Sequence, residues 1–275
     1  MNIKKIKIGI IGGGVMGEVM IKSFRQELKI SGRNILVMDS NAIKLNKLSK
    51  KYKIKTTNNF SEMISSSKII FLAIKPQQFN SVAKELSGQL SANQIIVSIM
   101  AGISLSGIKK KLAHKKVIRT MPNLAAQINS AVTLWLADKS ISKADRLVIK
   151  NILSSFGYEM EVYSDNKIDS LTLVTGSGPA YLFYMAEILE KFTRQQGVSS
   201  TQAKKIVIEM ISGAMVLYMQ SSDDAEKLRK KVTSKGGVTE AMFDIIERKY
   251  QSNIIWTKAF ENALRRSLLL KKKYE

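Results

Sequence analysis

Cysteine is absent from the 275 residues, so neither disulfides nor thiolate chemistry can contribute here. That fits a reducing compartment, and the expected localisation is cytoplasmic. Histidine occurs once, as His114 in the run Ala113-His114-Lys115-Lys116. A histidine-based metal cluster is therefore excluded, no metal site is expected, and a Ser–His–Asp hydrolase would depend on this one residue. His114 reads as a surface loop residue. Acidic residues are few, 22 against 44 Lys and Arg, for a formal net charge of +22. Such a balance suits a nucleic-acid or membrane surface. The cations, however, are scattered as Lys4–Lys7, Lys109–Lys111, Arg229–Lys231 and Lys271–Lys273, with no basic arm and no interleaved aromatic ladder. Lysine on every solvated face is the simpler reading, so no nucleic-acid and no membrane partner is expected. Long apolar runs are missing too. The uncharged stretch Gly88–Ile108 carries Ser, Asn, Gln and Gly throughout and reads as a buried strand with turns, not a membrane span. The N-terminal lysines precede an apolar run too short and glycine-dense for a signal peptide, and Glu18 soon follows. No solenoid-length repeat and no low-complexity linker occurs.

What is present begins at Ile6–Gly17, I-K-I-G-I-I-G-G-G-V-M-G. A β-branched apolar run breaks into glycines, and Gly12, Gly14 and Gly17, with Val15 and Met16 between the last two, stand in the spacing G-x-G-x-x-G. A first strand, a tight turn and a helix start would place backbone N–H groups against a pyrophosphate. The spacing alone is weak evidence; its place after a β-like run and before the helix-compatible Glu18–Leu28 raises it to a candidate dinucleotide site.

With 45% hydrophobic residues the chain can bury a sizeable core, as one large domain or two ordinary ones. Ile35–Met38 reads as a second parallel strand ending in Asp39, close to where an acidic residue meets the adenine ribose in such folds. A carboxylate there favours NAD, whereas Ser40, Asn41 and Lys44 can hold a 2′-phosphate; Asp39 as a mere cap of the next helix is an equal alternative. Further strands are expected at Ile54–Thr57, Lys68–Ile74, Ile95–Ile99, from Val117, at Ala131–Ala137 and at Glu161–Tyr163. Helices are expected at Ala42–Lys51, Asn59–Ser65, Leu105–Leu112 and Lys143–Phe156. The loop after Lys68–Ile74 makes Lys75, ahead of Pro76, a candidate cofactor contact or a solvated lysine. This alternation predicts an α/β fold, a doubly wound, mostly parallel sheet through about residue 163. From Lys167 onward the periodicity is helical. Ile206, Val207, Met210, Ile211, Ala214 and Leu217 share one face, and Ile255, Ala259, Ala263 and Leu264 a second. Domains are therefore expected at residues 1–164 and 165–275. The second is all-α, with enough apolar surface to be shared in a homodimer.

Two glycine clusters punctuate the helical half, T-G-S-G-P-A-Y at Thr175–Tyr181 and T-S-K-G-G-V-T-E at Thr233–Glu240. Both look like helix starts, the second leading into Ala241–Arg248. Amides at Gly236, Gly237, Val238 and Thr239 can hold a small carboxylate, or the clusters are two ordinary helix caps.

Together with A-I-K-P at Ala73–Pro76, R-T-M-P-N at Arg119–Asn123, D-S-L-T-L-V-T-G-S-G-P-A-Y at Asp169–Tyr181 and V-T-S-K-G-G-V-T-E-A at Val232–Ala241, the chain resembles the pyrroline-5-carboxylate reductases, in the family's order and over nearly its whole length. The resemblance implies an N-terminal Rossmann-type domain followed by an all-α dimerisation domain. It also implies an active site where the nucleotide domain of one subunit meets the helical domain of its partner. By position, it implies that Gly236, Gly237 and Val238 bind the substrate carboxylate, Thr239 hydrogen-bonds the ring nitrogen, and Ser234, Ser177 and Gly178 help shape the pocket. Gly12, Gly14, Val15, Met16, Gly17, Asp39, Ser40, Ala73, Lys75, Pro76 and Asn123 would face the cofactor, NADPH or NADH. Five positions depart from the family pattern: Leu124-Ala125 replace Thr-Pro, Asn129 and Ala131 replace glycines, and Lys235 replaces a proline. The expected activity is hydride transfer from NAD(P)H to the imine of 1-pyrroline-5-carboxylate, giving L-proline, by a homodimer or a higher assembly of dimers. Related imine reductases or β-hydroxyacid dehydrogenases, with Lys167 as their lysine, are the alternative enzyme reading. A basic binding protein without turnover is the alternative of another class.

Overall fold

The structure is a computed structural model that describes residues 3–274. By packing, the chain divides into two compact units, Met1–Ser177 with Leu264–Glu275, and Gly178–Ala263.

The first unit is built on one eight-stranded sheet. Its strands are β1 (Ile8–Ile11), β2 (Ile35–Met38), β3 (Lys55–Thr57), β4 (Ile69–Leu72), β5 (Ile95–Ser98), β6 (Val117–Met121), β7 (Ala131–Ala137) and β8 (Gly157–Glu161), in the order β3-β2-β1-β4-β5-β6-β7-β8. Every neighbouring pair is parallel except β6 with β7. Central strands with helices on both faces have no solvated side, so β1, β2, β4 and β5 are buried along their whole length. Ile8 and Ile10 pack on one face with Phe24, Phe71 and Trp135. Ile11, Leu36, Ile70 and Leu72 pack on the other with Phe79 and Leu86.

The helices are α1 (Val15–Gln26), α2 (Ala42–Tyr52), α3 (Phe60–Ser66), α4 (Phe79–Leu86), α5 (Leu105–Leu112), α6 (Lys143–Ser154) and α7 (Asp165–Thr175). Several start where a short polar side chain accepts an orphan amide: Asn41 from Lys44, Asn59 from Ser61 and Glu62, Ser104 from Gly107, Ser142 from Asp145 and Ser164 from Lys167. Each such cap contributes about 1 kcal/mol. The cap of α2 is thus Asn41, and Asp39 accepts the N–H of that cap residue rather than an amide of the helix itself.

Two expectations for this unit are corrected. His114 is not on the surface: it is 8% exposed, and its Nε2 lies 2.9 Å from the Gln94 carbonyl oxygen. Gln94 is itself buried and donates to the carbonyls of Ile64 and Ser67, so the histidine completes a polar knot at the start of β5. The last strand is Gly157–Glu161 and not Glu161–Tyr163. It pairs with β7 from Ala131↔Gly157 onward, and Gly157, at φ +134°, lets the chain turn straight out of α6 into that pairing. Its polar Y-E-M-E stretch is tolerated because β8 closes the sheet edge.

The second unit is helical: α8 (Gly178–Gln195), α9 (Ser200–Gln220), α10 (Ala225–Lys231), α11 (Val238–Phe243) and the start of α12 (Ser252–Tyr274). A π-helical turn, Asp244–Lys249, follows α11 where a continuous helix to Arg248 was expected. Tyr181, Trp256 and Phe260 form an aromatic trio with ring centroids 5.6–6.0 Å apart. Among the described residues 178–263, only Ala203 and Val207 are buried hydrophobics. Leu182, Phe183, Tyr184, Ile188, Phe192, Met215 and Leu217 are all exposed. So much exposed apolar surface is unusual for a unit that works alone.

Candidate active site

A crevice of about 690 Å³ opens at the C-terminal ends of β1, β2 and β4, lined by Gly12, Gly14, Asp39, Ser40, Asn41, Lys44, Ala73, Lys75 and their neighbours. The glycine turn is tied to the sheet on two sides. Gly12 N–H donates to the Met38 carbonyl at 2.7 Å and Ala73 N–H to the Ile11 carbonyl at 2.8 Å. Gly14 is the N-cap of α1 with no side-chain cap. Val15, Met16 and Gly17 are the first three residues of that helix, so their N–H groups have no intrahelical acceptor. A Cβ built on Gly14 meets nothing within 4 Å. The turn therefore has both amides to hold an anion and room for it to approach, which fits a dinucleotide pyrophosphate.

Asp39 is held firmly. Its Oδ2 accepts from Gly13 N–H at 2.8 Å and from Lys44 Nζ at 2.7 Å, and its Oδ1 from Asn41 N–H at 2.9 Å. Partial burial works against its charge, but the hydrogen bonds from Lys44, Asn41 and Gly13 outweigh it and hold the carboxyl below its ordinary range. Asp39 thus stays ionised at every pH above that range, and its contribution to stability is lost only as pH falls through the lowered value. That Asp39 faces Gly13, 26 residues earlier, is not legible in the sequence. Lys44, in the first turn of α2 and a candidate phosphate ligand by sequence, serves first as the carboxylate's partner.

Lys75 is exposed at the crevice rim, and Pro76 opens the short turn Pro76–Gln78. Asn123 is not among the residues that line the crevice. Its Nδ2 donates to the Thr175 carbonyl at 2.8 Å and its Oδ1 accepts from Ala125 N–H at 3.2 Å. Leu124-Ala125 begin a 3-10 turn ending at Asn129, whose φ is +56°. Asn tolerates that left-handed conformation better than other side chains, which accounts for asparagine where the family has glycine.

Below the Asn123 turn lies a charged cluster that sequence reasoning did not identify. Arg119, 2% exposed on β6, donates to Asp165 Oδ1 at 2.6 Å and to Asp169 Oδ1 at 2.5 Å, both on α7. Asp165 also accepts the Leu105 N–H at the start of α5. Lys271 stands 3.7 Å from Asp169 Oδ2. Arg119 thus fixes the start of α7 and Asn123 its end, just before Ser177.

In the helical unit, Gly237 is the N-cap of α11. The expectation of four open amides is corrected. Gly236 N–H donates to Glu240 Oε2 at 2.7 Å and Gly237 N–H to the Ser234 carbonyl at 3.0 Å. Glu240, three residues after the N-cap, reaches back as in a capping box, a signal already present in G-V-T-E. Val238 and Thr239 are the first two helical residues, and their N–H groups have no intrahelical acceptor. Among the described residues no group of three or more His, Asp or Glu is placed to hold a metal, and no helix is long and apolar enough to cross a membrane.

Comparison with known proteins adds two family matches, pyrroline-5-carboxylate reductase dimerisation over residues 165–270 and NADP oxidoreductase coenzyme F420-dependent over residues 7–102. The chain is 33% identical to a pyrroline-5-carboxylate reductase of Synechocystis, over 98% of this chain and 99% of that one. It is 30% identical to pyrroline-5-carboxylate reductase 2 of Bacillus subtilis, over 98% and 96% of the two chains. In structure it resembles the Plasmodium falciparum pyrroline carboxylate reductase solved with NADP bound, with a TM-score of 0.87 at 21% identity, covering 98% of this chain and 99% of that one.

Proposed function

As this chain belongs to the pyrroline-5-carboxylate reductase family, we propose that it reduces 1-pyrroline-5-carboxylate to L-proline with NAD(P)H, as a cytoplasmic homodimer. The observation that carries the reading is the glycine turn: Gly12 and Gly14 line the crevice, there is room at Gly14, and the helix that begins there at Val15, Met16 and Gly17 has open amides. When bound, the reduced nicotinamide supplies a hydride to the imine carbon, and the ring nitrogen ends with a proton. The protein's part is positioning, exclusion of water and one hydrogen bond.

In this reading the Val238 and Thr239 amides grip the substrate carboxylate, with the Gly236 amide added once the substrate displaces Glu240. Thr239 Oγ1 donates to the ring nitrogen, and Ser234, Ser177 and Gly178 complete the pocket. A histidine base is not required, and His114 is engaged with Gln94. Lys167, the lysine an alternative dehydrogenase chemistry would call on, is exposed in the first turn of α7, and no described contact favours it. Exposed apolar side chains on α8 and α9 support burial against a second copy.

Steady-state oxidation of NADPH and NADH with pyrroline-5-carboxylate tests the activity directly; no turnover with either cofactor refutes it. Thr239→Ala is expected to lower kcat by about 10²-fold, the scale of losing one preorganised donor, with cofactor affinity unchanged. Unaltered kcat would remove Thr239 from the chemistry.

We also infer a preference for NADPH. Asp39 is occupied by Gly13, Asn41 and Lys44, while the Ser40 hydroxyl, the Asn41 side-chain amide and the remaining Lys44 N–H groups stay available as donors at the crevice. Donors suit a 2′-phosphate, which only accepts, better than a ribose diol, which also seeks an acceptor. Titration with 2′,5′-ADP and 5′-ADP should show tighter binding of the former. Lys44→Met should narrow the gap by about tenfold, a loss of about 1.4 kcal/mol. An unchanged ratio would exclude Lys44 as the reader.

A further inference from the structure

Cations that are scattered in sequence converge in space. A parallel sheet brings the starts of β1, β2 and β3 side by side, at the end opposite the glycine turn. Lys5 and Lys7 lead into β1, Lys29 and Arg33 into β2, and Lys53 and Lys55 into β3. The three approaches touch: the Asn34 side chain donates to the Lys4 carbonyl at 3.0 Å, Gly32 lies against the Lys53 carbonyl, and Lys55 pairs with Leu36. Between them runs a small groove lined by Lys7, Arg33 and Lys55 together with Asn34, Leu36 and Ser66. Glu62 also lines it, and accepts the Thr57 hydroxyl at 2.6 Å.

All six cations are exposed, and among the described residues none makes an ion pair. Some cations elsewhere are paired, as Lys44 with Asp39, Lys116 with Asp145 and Arg146 with Glu161. Favourable interaction with helix C-termini accounts for Lys29 and Lys53, which follow α1 and α2. It does not account for Lys5, Lys7, Arg33 and Lys55, which stand at strand starts. Neighbouring strands are about 5 Å apart, so the edge holds a row of mutually repelling charges, and the groove sets only the carboxylate of Glu62 against them. Such a row fits a ligand that is itself a row of anions.

We propose that this edge docks the phosphate backbone of nucleic acid, without reading its sequence and without blocking the crevice. No large hydrophobic side chain among residues 3–7, 28–36 or 52–57 is exposed. The edge therefore has neither a stacking platform for bases nor an apolar anchor for a bilayer, and contact is confined to phosphates.

The test is fluorescence anisotropy of the full-length protein with a labelled single-stranded oligonucleotide of mixed sequence in rising NaCl. With about four phosphates neutralised, log K should fall against log salt with a slope of about −3, because single strands contribute about −0.7 per phosphate. The triple variant K7E/R33E/K55E should lose at least tenfold in affinity. The control K84E/K139E/K143E makes the same change in charge at the same end of the sheet but outside the starts of β1, β2 and β3, and should lose less than threefold. Reductase turnover of both variants should match the parent, which verifies folding. Equal losses in both variants would show a mere net-charge effect and overturn the proposal. So would the absence of oligonucleotide binding at 100 mM salt, or binding only to phosphatidylserine vesicles.

Discussion

Replacing Arg119 by methionine is expected to destabilise the first unit by about 3–5 kcal/mol, the range seen when one partner of a buried ion pair is removed. The loss is not the worth of two hydrogen bonds. Asp169 is 5% exposed, and its Oδ2 already lacks a hydrogen-bond partner among the described residues. Without the guanidinium its charge would remain buried with only Lys271, 3.7 Å away, to offset it. Asp165 would fare better, because it keeps the Leu105 amide and is partly solvated. Two variants separate charge from packing. Asp169→Leu together with Arg119→Met removes both buried charges and should recover much of the loss, since a buried pair replaced by apolar residues is often neutral. Arg119→Lys keeps a charge but loses the fork that serves two carboxylates at once, and should fall between. Urea unfolding followed by Trp135 fluorescence in a Trp256→Phe background reports on the sheet alone, as the chain has two tryptophans. A cost below 1 kcal/mol for Arg119→Met would mean that the network carries little of the stability assigned to it. The same variant should disturb turnover through position, because α7 delivers the Gly176–Gly178 turn and Asn123 holds only its far end.

What could be read in advance, and what could not, divides along the distance between interacting residues. Strands buried on both faces announce themselves as unbroken apolar runs; Ile35–Met38 and Ala131–Ala137 were located to the residue. Caps are equally local, and Asn59 ahead of Phe60 needed only its neighbours. The position of His114 did not follow from A-H-K-K, because the acceptor that draws it inward, Gln94, is twenty residues away. Arg119 shows the same limit on a larger scale: its partners lie 46 and 50 residues further on. β8 was misplaced because an edge strand has no apolar signature and its start depends on Gly157 meeting Ala131. Among the candidate site residues, the glycine turn is a local motif and was legible. The bonds that tie Asp39 to Gly13 and Asn123 to Thr175 are products of the fold. The basic edge is the clearest case: β1, β2 and β3 are separate in sequence, and only their lateral order makes one surface of their lysines.

Gly12→Ala should abolish measurable cofactor binding, a loss of at least 10²-fold or about 3 kcal/mol. Gly12 sits at φ +109°, a conformation costly to any side chain, and its Cβ would fall 2.4 Å from the Ala73 carbonyl oxygen. That oxygen belongs to backbone leaving β4 and is not the end of a flexible side chain, so the turn itself must move. Moving it displaces the amides of Val15 and Met16 and strains the bond from Gly12 N–H to Met38. This variant should therefore also melt earlier in the absence of any ligand, and on its own it cannot separate a damaged turn from a missing cradle. Gly14→Ala does so. Gly14 has φ −73°, which any residue adopts, and its Cβ would meet no protein atom within 4 Å. The ligand-free protein should keep its melting temperature, while a methyl group stands where the pyrophosphate has to approach. Isothermal titration of NADPH into Gly14→Ala should thus show a large loss of affinity in a protein of parental stability. Parental affinity there would mean that the open space at Gly14 is not where the phosphates lie, and the cradle would have to be sought elsewhere along the crevice.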